Sequence, residues 1–436
     1  MGKKVAFHTL GCKLNFSETS ELGRQLEESG FERVPFGTPA DITVIHTCSV
    51  TGSADRKTKQ AVHKAIHISP DGYLVAMGCF AQLNPQEIAS WQGVDLVLGT
   101  NDKFDLPKYL TDISKKDHAE VHSCEITEDQ KFFPAHSTAE RTRAFLKVQD
   151  GCDYPCTYCT IPKARGKSRN PEITSLVEQA RDLASKGLRE IVLTGVNIGD
   201  FGKSTGESFT QLASALNEVE GILRYRISSI EPNLITNELL RFVSGSTRFA
   251  PHFHIPLQSG SDKILRLMKR RYLTDVFAER VMQIKSLIPD CSIGADVIVG
   301  FPGETDEDFD DAQQFISSLP LSYLHVFTYS ERPGTPAAEM TGKVQNRIRD
   351  DRSHSLHETG TRLKYDFYRS QLGSERIVIF EQKKADGTMT GFTDNYIEVK
   401  ADFQPDFLHR AGWVQLCGPI MDGIVKAKMI STNPLP

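Results

Sequence analysis

Cys152, Cys156 and Cys159 place three thiols within eight residues, in the spacing C-x3-C-x2-C. Three thiolates this close can wrap one metal centre, whereas a closed structural zinc site or an ordinary four-iron ferredoxin site takes four protein ligands. One position is left for something else, unless a remote residue completes a zinc knuckle. An iron with no protein ligand can bind the amino and carboxylate groups of a methionine moiety and pass an electron to its sulfonium, which is what cleaving S-adenosylmethionine (SAM) requires.

A second trio is spread out: Cys12, Cys48 and Cys79 are more than thirty residues apart. Each closely follows an apolar run that reads as a strand. In a parallel sheet all strand C-termini lie along one edge and ligand sites form in the crevice there, so three such loops bring three thiols together. This predicts a second three-cysteine cluster with one open iron. Three unrelated buried cysteines are the alternative, since burial is a common fate of that residue. Cys124, Cys291 and Cys417 have no such setting and read as structural. Nine cysteines is an odd number, and in a reducing compartment clustered thiols point to metal rather than disulfides.

The elements that carry these thiols follow from hydrophobic periodicity. Up to residue 110, apolar runs at 5–7, 42–45, 74–76 and 96–98 alternate with polar, helix-compatible segments, the pattern of a parallel α/β sheet domain. Residues 111–140 are charge-rich and suit a connector. Residues 141–370 hold six strand candidates, at 145–148, 191–194, 225–228, 252–257, 293–299 and 324–329, with helical periodicity between them. Ile173, Leu176, Val177, Ala180, Leu183 and Ala184, for instance, share one helical face. Six βα units, short of the eight of a closed barrel, predict an open, partial (β/α)6 barrel whose first strand leads into the 152–159 loop. A polar helix over 344–372 precedes short strand candidates at 376–381, 396–399, 412–416 and 423–429, so 371–436 reads as a small β-barrel.

Composition bounds the function. A chain of 436 residues is too long for one core and suggests two or three domains. The net charge of −5 offers no bulk attraction to phosphate, so any nucleic-acid contact must come from local patches. No apolar run approaches the roughly 18 residues that span a bilayer. A cytoplasmic protein without membrane contact is expected.

The motifs TLGCKLN (9–15), HTCSVT (46–51), MGC (77–79), the 151–159 loop with Tyr158 before its last cysteine, LQSGSD (257–262), MKRRY (268–272) and GFPGET (300–305) run through essentially the whole chain. In them the chain resembles the methylthiotransferase family of radical SAM enzymes, whose members combine an N-terminal cluster domain, a radical SAM barrel and a C-terminal TRAM domain. The resemblance implies two [4Fe-4S] clusters. The one on Cys12, Cys48 and Cys79 carries or donates sulfur, and the one on Cys152, Cys156 and Cys159 cleaves SAM. One SAM then supplies the methyl group and a second the radical, with an external electron donor and a sulfur source as further partners. The carbon attacked is C2 of an adenine, whose C–H bond is far too weakly acidic for acid–base removal, so a reactive radical is a physical requirement. Family branches modify an isopentenyladenosine in tRNA, a threonylcarbamoyladenosine in tRNA, or an aspartate of a ribosomal protein. GCKLN (11–15), SVT (49–51) and KRRY (269–272) are most similar to the threonylcarbamoyl branch, which implies N6-threonylcarbamoyladenosine next to the tRNA anticodon as the target.

The resemblance also implies that SAM lies along the top of the barrel. Its expected contacts are Tyr158 beside the cluster, Thr194, Gly195 and Asn197 after the second strand, Ser228 and Glu231 after the third, Gln258 and Ser259 after the fourth, Val299 on the fifth and Phe327 on the sixth. Polar residues at strand ends also cap helices, which is the plain alternative. Two basic groups, Lys163, Arg165, Lys167 and Arg169, then Lys269, Arg270 and Arg271, are candidate RNA contacts. They can hold phosphates without reading sequence, or serve as a solvated face or as salt-bridge partners. The tail's seven Lys/Arg against eight Asp/Glu lend the implied RNA binding no support from composition. A basic face there requires Lys383, Lys384, Lys400, Lys426 and Lys428 to converge.

Overall fold

The computed structural model describes residues 2–126, 131–137 and 142–435. Strands β1 (Lys4–Thr9), β2 (Glu32–Val34), β3 (Ile42–Thr47), β4 (Tyr73–Gly78), β5 (Leu96–Leu98) and β6 (Glu120–His122) form one parallel sheet in the order β2-β1-β3-β4-β5-β6. Every residue of β3 and β4 is buried, because hydrophobic clusters cover both faces. Strand order reverses between β1 and β3, so the crevice beyond their C-termini is the sheet's switch point, where open α/β sheets bind ligands. β2 and β6 are three-residue edge strands without a readable apolar pattern. The segment expected to be a connector therefore contributes β6, paired with β5. The domain boundary expected near residue 140 lies outside the described residues.

The barrel comprises β7 (Arg143–Lys147), β8 (Glu190–Thr194), β9 (Arg224–Ile227), β10 (His252–Gln258), β11 (Ser292–Val299) and β12 (Tyr323–Thr328), two parallel three-stranded sheets joined by the bridges Tyr225–Phe249 and Ser229–His254. Six strands were expected at these places. Along them Leu146, Leu193, Ile227, Ile255 and Val297 pack outward into one core, with Leu176, Val177, Ala180 and Leu183 of the first long helix. The strand period of two then turns Arg143, Lys147, Glu190, Arg224, Arg226, His254, Asp296 and His325 toward the lumen, which is polar. The helix Lys13–Glu28 packs against β7 and the long helix Asn346–Ser370 against β12, flanking the side where a full barrel would close. The GFPGET turn anchors that long helix: the Glu304 carboxylate accepts from the Gly300 N–H at 3.0 Å and from Arg352 at 2.6 Å.

The tail is a closed barrel, β13 (Glu375–Lys383), β14 (Thr388–Thr393), β15 (Glu398–Asp402), β16 (Ala411–Met421) and β17 (Ile424–Met429). β14 (TMTGFT) was not expected, because its Thr and Gly after Asp386-Gly387 read as turn. β16 runs through Gly418 with a register shift between Leu416 and Ile420, where a turn was expected. The tail docks on the lumen's floor. Arg226 donates to the carbonyls of Asp394 at 2.8 Å and Thr393 at 2.6 Å, Arg143 pairs with Glu381 at 2.9 Å, and the Tyr396 ring lies 4.5 Å from that of His252. No helix among the described residues is long and apolar enough to cross a membrane.

Glu190 holds this floor. Burial by itself raises its pKa, but the guanidiniums of Arg224, Arg226 and Arg143 outweigh that and hold it at about 2, below the 4.5 of a free glutamate. A carboxylate depressed on folding stabilises above its unfolded pKa and loses that contribution as pH falls toward the folded value. Chemical denaturation followed from pH 6 to pH 3 is therefore expected to show stability falling below about pH 4.5. Glu190→Gln should flatten that fall and lower stability at neutral pH by about 3–5 kcal/mol, since it strands buried arginines. An unchanged acid profile in the variant would assign the fall to other carboxylates.

Candidate active site

Cys12, Cys48 and Cys79 leave the sheet at the ends of β1, β3 and β4, as expected. Gly11, at φ +97°, makes room: a Cβ there would lie 2.7 Å from the Cβ and Sγ of Cys48. Thr47 Oγ1 donates to the Met77 carbonyl at 2.8 Å and accepts from the Phe80 and Ala81 amides at 3.2 and 3.1 Å, fixing the helix that begins at Cys79. Asn15 ties the other two loops through the carbonyls of Leu10 and Thr47, at 2.8 and 3.1 Å. Burial pushes the Cys48 thiol up to about 12, and the charges of Cys79 and Cys12 add to that. The Cys12 thiol is likewise raised by desolvation, against the opposing effect of Arg165.

Arg165 is the hub beneath this trio. It is buried, and its Nε donates to Cys79 Sγ at 3.2 Å. One terminal nitrogen reaches Glu18 and Asp150, each at 3.0 Å, and the other reaches Asn15 at 2.7 Å. Lys103 and Lys147 also bind Glu18, at 2.6 and 2.9 Å, and Lys147 and Arg169 bind Asp150, at 2.8 and 3.2 Å. Four buried cations thus face two buried carboxylates, and the excess positive charge adjoins Cys79. That is the environment an anionic thiolate-ligated cluster needs, since ligation requires the thiols to lose their protons.

The second trio follows β7. Cys152 Sγ and Cys159 Sγ accept from the amides of Tyr154 and Ile161, each at 3.4 Å, and Cys156 Sγ accepts from Arg270 at 3.1 Å. Burial pushes Cys152 and Cys159 up to about 12. Among the described residues, the only three His, Cys or carboxylate donors with ligand atoms within 4.8 Å of one another are those of His254, Asp296 and His325. Neither cysteine trio closes to the spacing of a single ion. A cubane, which places its thiolates on different irons, takes the wider one.

Beside this loop two buried polar atoms lack partners, Asn197 Oδ1 and Ser228 Oγ, while Asp200 Oδ1 is paired with Lys203 at 2.8 Å. Such atoms are costly unless a ligand satisfies them. Gly195 is closed to any side chain, for its Cβ would meet Gln149 Oε1 at 2.8 Å, and that oxygen holds the Val196 and Asn197 amides at 2.9 Å. Thr194 ends β8 buried, and Ser259 Oγ accepts from the Ser261 amide at 3.2 Å. Gln258 turns through φ +68°, and Phe327 leaves 42% of its surface exposed on the lumen side. These residues fit an amino acid linked to a nucleoside. Val299 is different: its side chain packs in the outer core and its carbonyl accepts from Tyr329, so it has no lumen-facing group.

Residues 146–316 match the Radical SAM superfamily, and residues 4–99 match the family described as uncharacterized protein family UPF0004. The chain is 40% identical to the threonylcarbamoyladenosine tRNA methylthiotransferase MtaB of Bacillus subtilis, over 91% of this chain and 89% of that one. With the protein of that name from Aquifex aeolicus it shares 40% over 92% and 97%. The chain belongs to the radical SAM tRNA methylthiotransferase family. The tRNA-2-methylthio-N(6)-dimethylallyladenosine synthase of Parafrankia sp. is 33% identical over 89% of this chain and 80% of its own. The radical SAM methyltransferase TsrM of Kitasatospora setae shares the fold, with a TM-score of 0.57 at 11% identity, covering 77% of this chain and 75% of that one.

In this methylthiotransferase the basic candidates divide by burial. Arg165 and Arg169 are buried in the charge network, and Arg270 is locked between Glu231, Tyr272 and Cys156, so these three are corrected from RNA contacts to internal supports. Lys163, Lys167, Lys269 and Arg271 are exposed, with Arg271 stacked 4.2 Å from the Tyr154 ring centre. Glu231, a SAM candidate, is committed to Arg270, and burial raises its pKa against that pairing. Tyr158 packs edge-on against Phe301 at 6.2 Å. In the tail, Lys400 and Lys426 are register partners on β15 and β17, while Lys383 lies over Phe403. Of the unassigned cysteines, Cys291 is buried and Cys124 and Cys417 are exposed. Sequence reasoning missed Glu18, Lys103, Lys147 and Asp150, and it missed the lumen trio, in which Asp296 accepts from His254 at 2.9 Å and His325 at 3.3 Å.

Proposed function

We propose that this enzyme adds a methylthio group to carbon 2 of N6-threonylcarbamoyladenosine beside the anticodon of tRNA. The observation that carries the substrate is the grading of identities. Relatives named for threonylcarbamoyladenosine stand at 34–40%, and those named for dimethylallyladenosine at 31–33%. Two [4Fe-4S] clusters are supported by two separate cysteine trios in two domains, each with its own charge setting. When bound, the clusters supply the electron that cleaves SAM to a 5′-deoxyadenosyl radical, and the sulfur that joins carbon 2.

The chain's own residues do the rest. Asn197 and Ser228 present the unsatisfied polar atoms that hold SAM, and Phe327 offers its adenine an apolar face. Arg270 supports Cys156 from below while Glu231 balances its charge. The exposed Lys163, Lys167, Lys269 and Arg271 draw the RNA backbone to the mouth without specifying sequence. An external donor supplies electrons, a sulfur source refills what is consumed, and a second SAM gives the methyl group.

The test is expression in a bacterial host stripped of its own tRNA methylthiotransferases but holding both precursor nucleosides, followed by mass spectrometry of digested tRNA. A new 2-methylthio form of threonylcarbamoyladenosine is expected. The isopentenyl counterpart would keep the chemistry and overturn the substrate. Neither product, with iron analysis showing two clusters, would turn attention to the ribosomal-protein aspartate.

A further inference from the structure

His254, Asp296 and His325 stand on β10, β11 and β12, three neighbouring strands of the barrel. Their strand neighbours Ile255, Ala295, Val297, Leu324 and Val326 pack outward, so the period of two turns all three side chains into the lumen. There Asp296 Oδ1 lies 2.9 Å from His254 Nε2 and 3.3 Å from His325 Nδ1. Two ligands each about 2.1 Å from one ion are about 3.0 Å apart at a right angle and about 3.4 Å apart at the tetrahedral angle. Both separations are thus those of neighbouring donors around a single cation, and the two imidazole nitrogens complete the set within 4.8 Å.

Two further observations concern what surrounds these donors. Elsewhere in the lumen carboxylates are matched by arginines, Glu190 by Arg224 and Arg226 and Glu381 by Arg143. Among the described residues no lysine or arginine pairs with Asp296, which has only the two imidazoles. The far nitrogen of His254 is also held: Nδ1 lies 3.2 Å from the Tyr323 hydroxyl, which lies 2.9 Å from Nε2 of the buried His252. When Nδ1–H donates to Tyr323 and Tyr323 donates on to His252, the lone pair of His254 Nε2 faces the Asp296 carboxylate, an arrangement that needs a cation between them. Outer partners of this kind orient metal-ligating histidines. The reverse tautomer, with Nε2–H donating to Asp296, is the metal-free alternative.

We infer that His254 Nε2, Asp296 Oδ1 and His325 Nδ1 bind a divalent transition cation, of the zinc or ferrous type, inside the barrel. The site is separate from both cysteine trios. Two imidazoles select such an ion over magnesium or calcium, which take oxygen donors. Three protein ligands leave coordination positions open. The His325 side chain is 56% exposed and that of Asp296 22%, so the open positions face the lumen, where water or an oxygen donor of a bound nucleoside completes the ion's shell.

The probe is zinc. Full-length enzyme with its clusters reconstituted is passed over a chelating resin, equilibrated anaerobically with zinc chloride and desalted. Zinc and iron are then counted by mass spectrometry, and the zinc ligands are read from X-ray absorption at the zinc edge. The wild type is expected to retain one zinc per chain beyond an unchanged iron content, with nitrogen and oxygen neighbours at about 2.0–2.2 Å and no sulfur. Tyr323→Phe keeps every ligand but removes the partner of His254, and should weaken zinc binding about 10–100-fold. Asp296→Asn and His325→Ala should weaken it further. A wild type that retains no zinc overturns the inference, as does zinc held equally well by Asp296→Asn and His325→Ala. Sulfur neighbours also overturn it, since they put the ion on cysteine. If Asp296→Asn loses iron through misfolding, His325→Ala carries the comparison, because that side chain is the most exposed of the three.

Discussion

Replacing Cys12, Cys48 and Cys79 together with alanine should remove about half of roughly eight irons per chain, abolish methylthiolation, and leave cleavage of SAM to 5′-deoxyadenosine in place. The trios sit in different domains and are held by different residues: Thr47, Asn15 and Arg165 for one, the 152–159 backbone and Arg270 for the other. Losing one donor set therefore leaves the other's ligands and hydrogen bonds intact. Iron and sulfide analysis, with 5′-deoxyadenosine measured after anaerobic reduction, reads both halves at once. Full iron content in the triple variant would sink the two-cluster reading. Loss of all iron and of SAM cleavage would make the trios one cooperative unit.

Arg165→Met should be the most damaging single change in the interior. Arg165 supplies five donors to a carboxylate pair, an amide and a thiol, from a helix that starts just after Cys159. Its removal leaves Glu18 and Asp150 in a dry interface with a partner missing, at a cost of about 3–5 kcal/mol. It also removes the N–H donor to Cys79. The expected result is a lower denaturation midpoint together with iron lost first from the N-terminal trio. Arg165→Lys should recover only part of both, because an ammonium reaches fewer acceptors than the planar fork. A Met variant with wild-type stability and iron would mean that Lys103 and Lys147 suffice.

The strand-end positions of Cys12, Cys48 and Cys79 were legible because each follows a readable apolar run of one parallel sheet, and Cys152, Cys156 and Cys159 because they share one short loop after a single strand. The six barrel strands were legible through apolar runs of the same kind. Arg165 was not: in the sequence it stands in a basic run with Lys163, Lys167 and Arg169, and its partner Glu18 lies 147 residues away. A helical turn and a bend put Lys163 and Lys167 in water and their neighbours in the interior, and local charge density carries no trace of that. His254, Asp296 and His325 meet only because three strands face one lumen, a relation fixed by register between segments far apart. β14 escaped notice because its buried face is carried by Thr390 and Thr393 beside Met389, and threonine and glycine after Asp386-Gly387 read as turn.

The docking of the tail has a bearing on how such proteins can be recombined. Backbone carbonyls of Thr393 and Asp394 take up hydrogen-bond donors of Arg226, and Glu381 takes up Arg143, within the cavity where the base is expected to lie. Cutting the tail away would strip two guanidiniums of their tail partners, leaving Glu190 to hold them, and alter the chamber's electrostatics along with any grip on RNA. A tail exchanged between relatives thus has to match the host chamber residue for residue, and chimaeras joined at residue 370 should fail in substrate choice before they fail in folding.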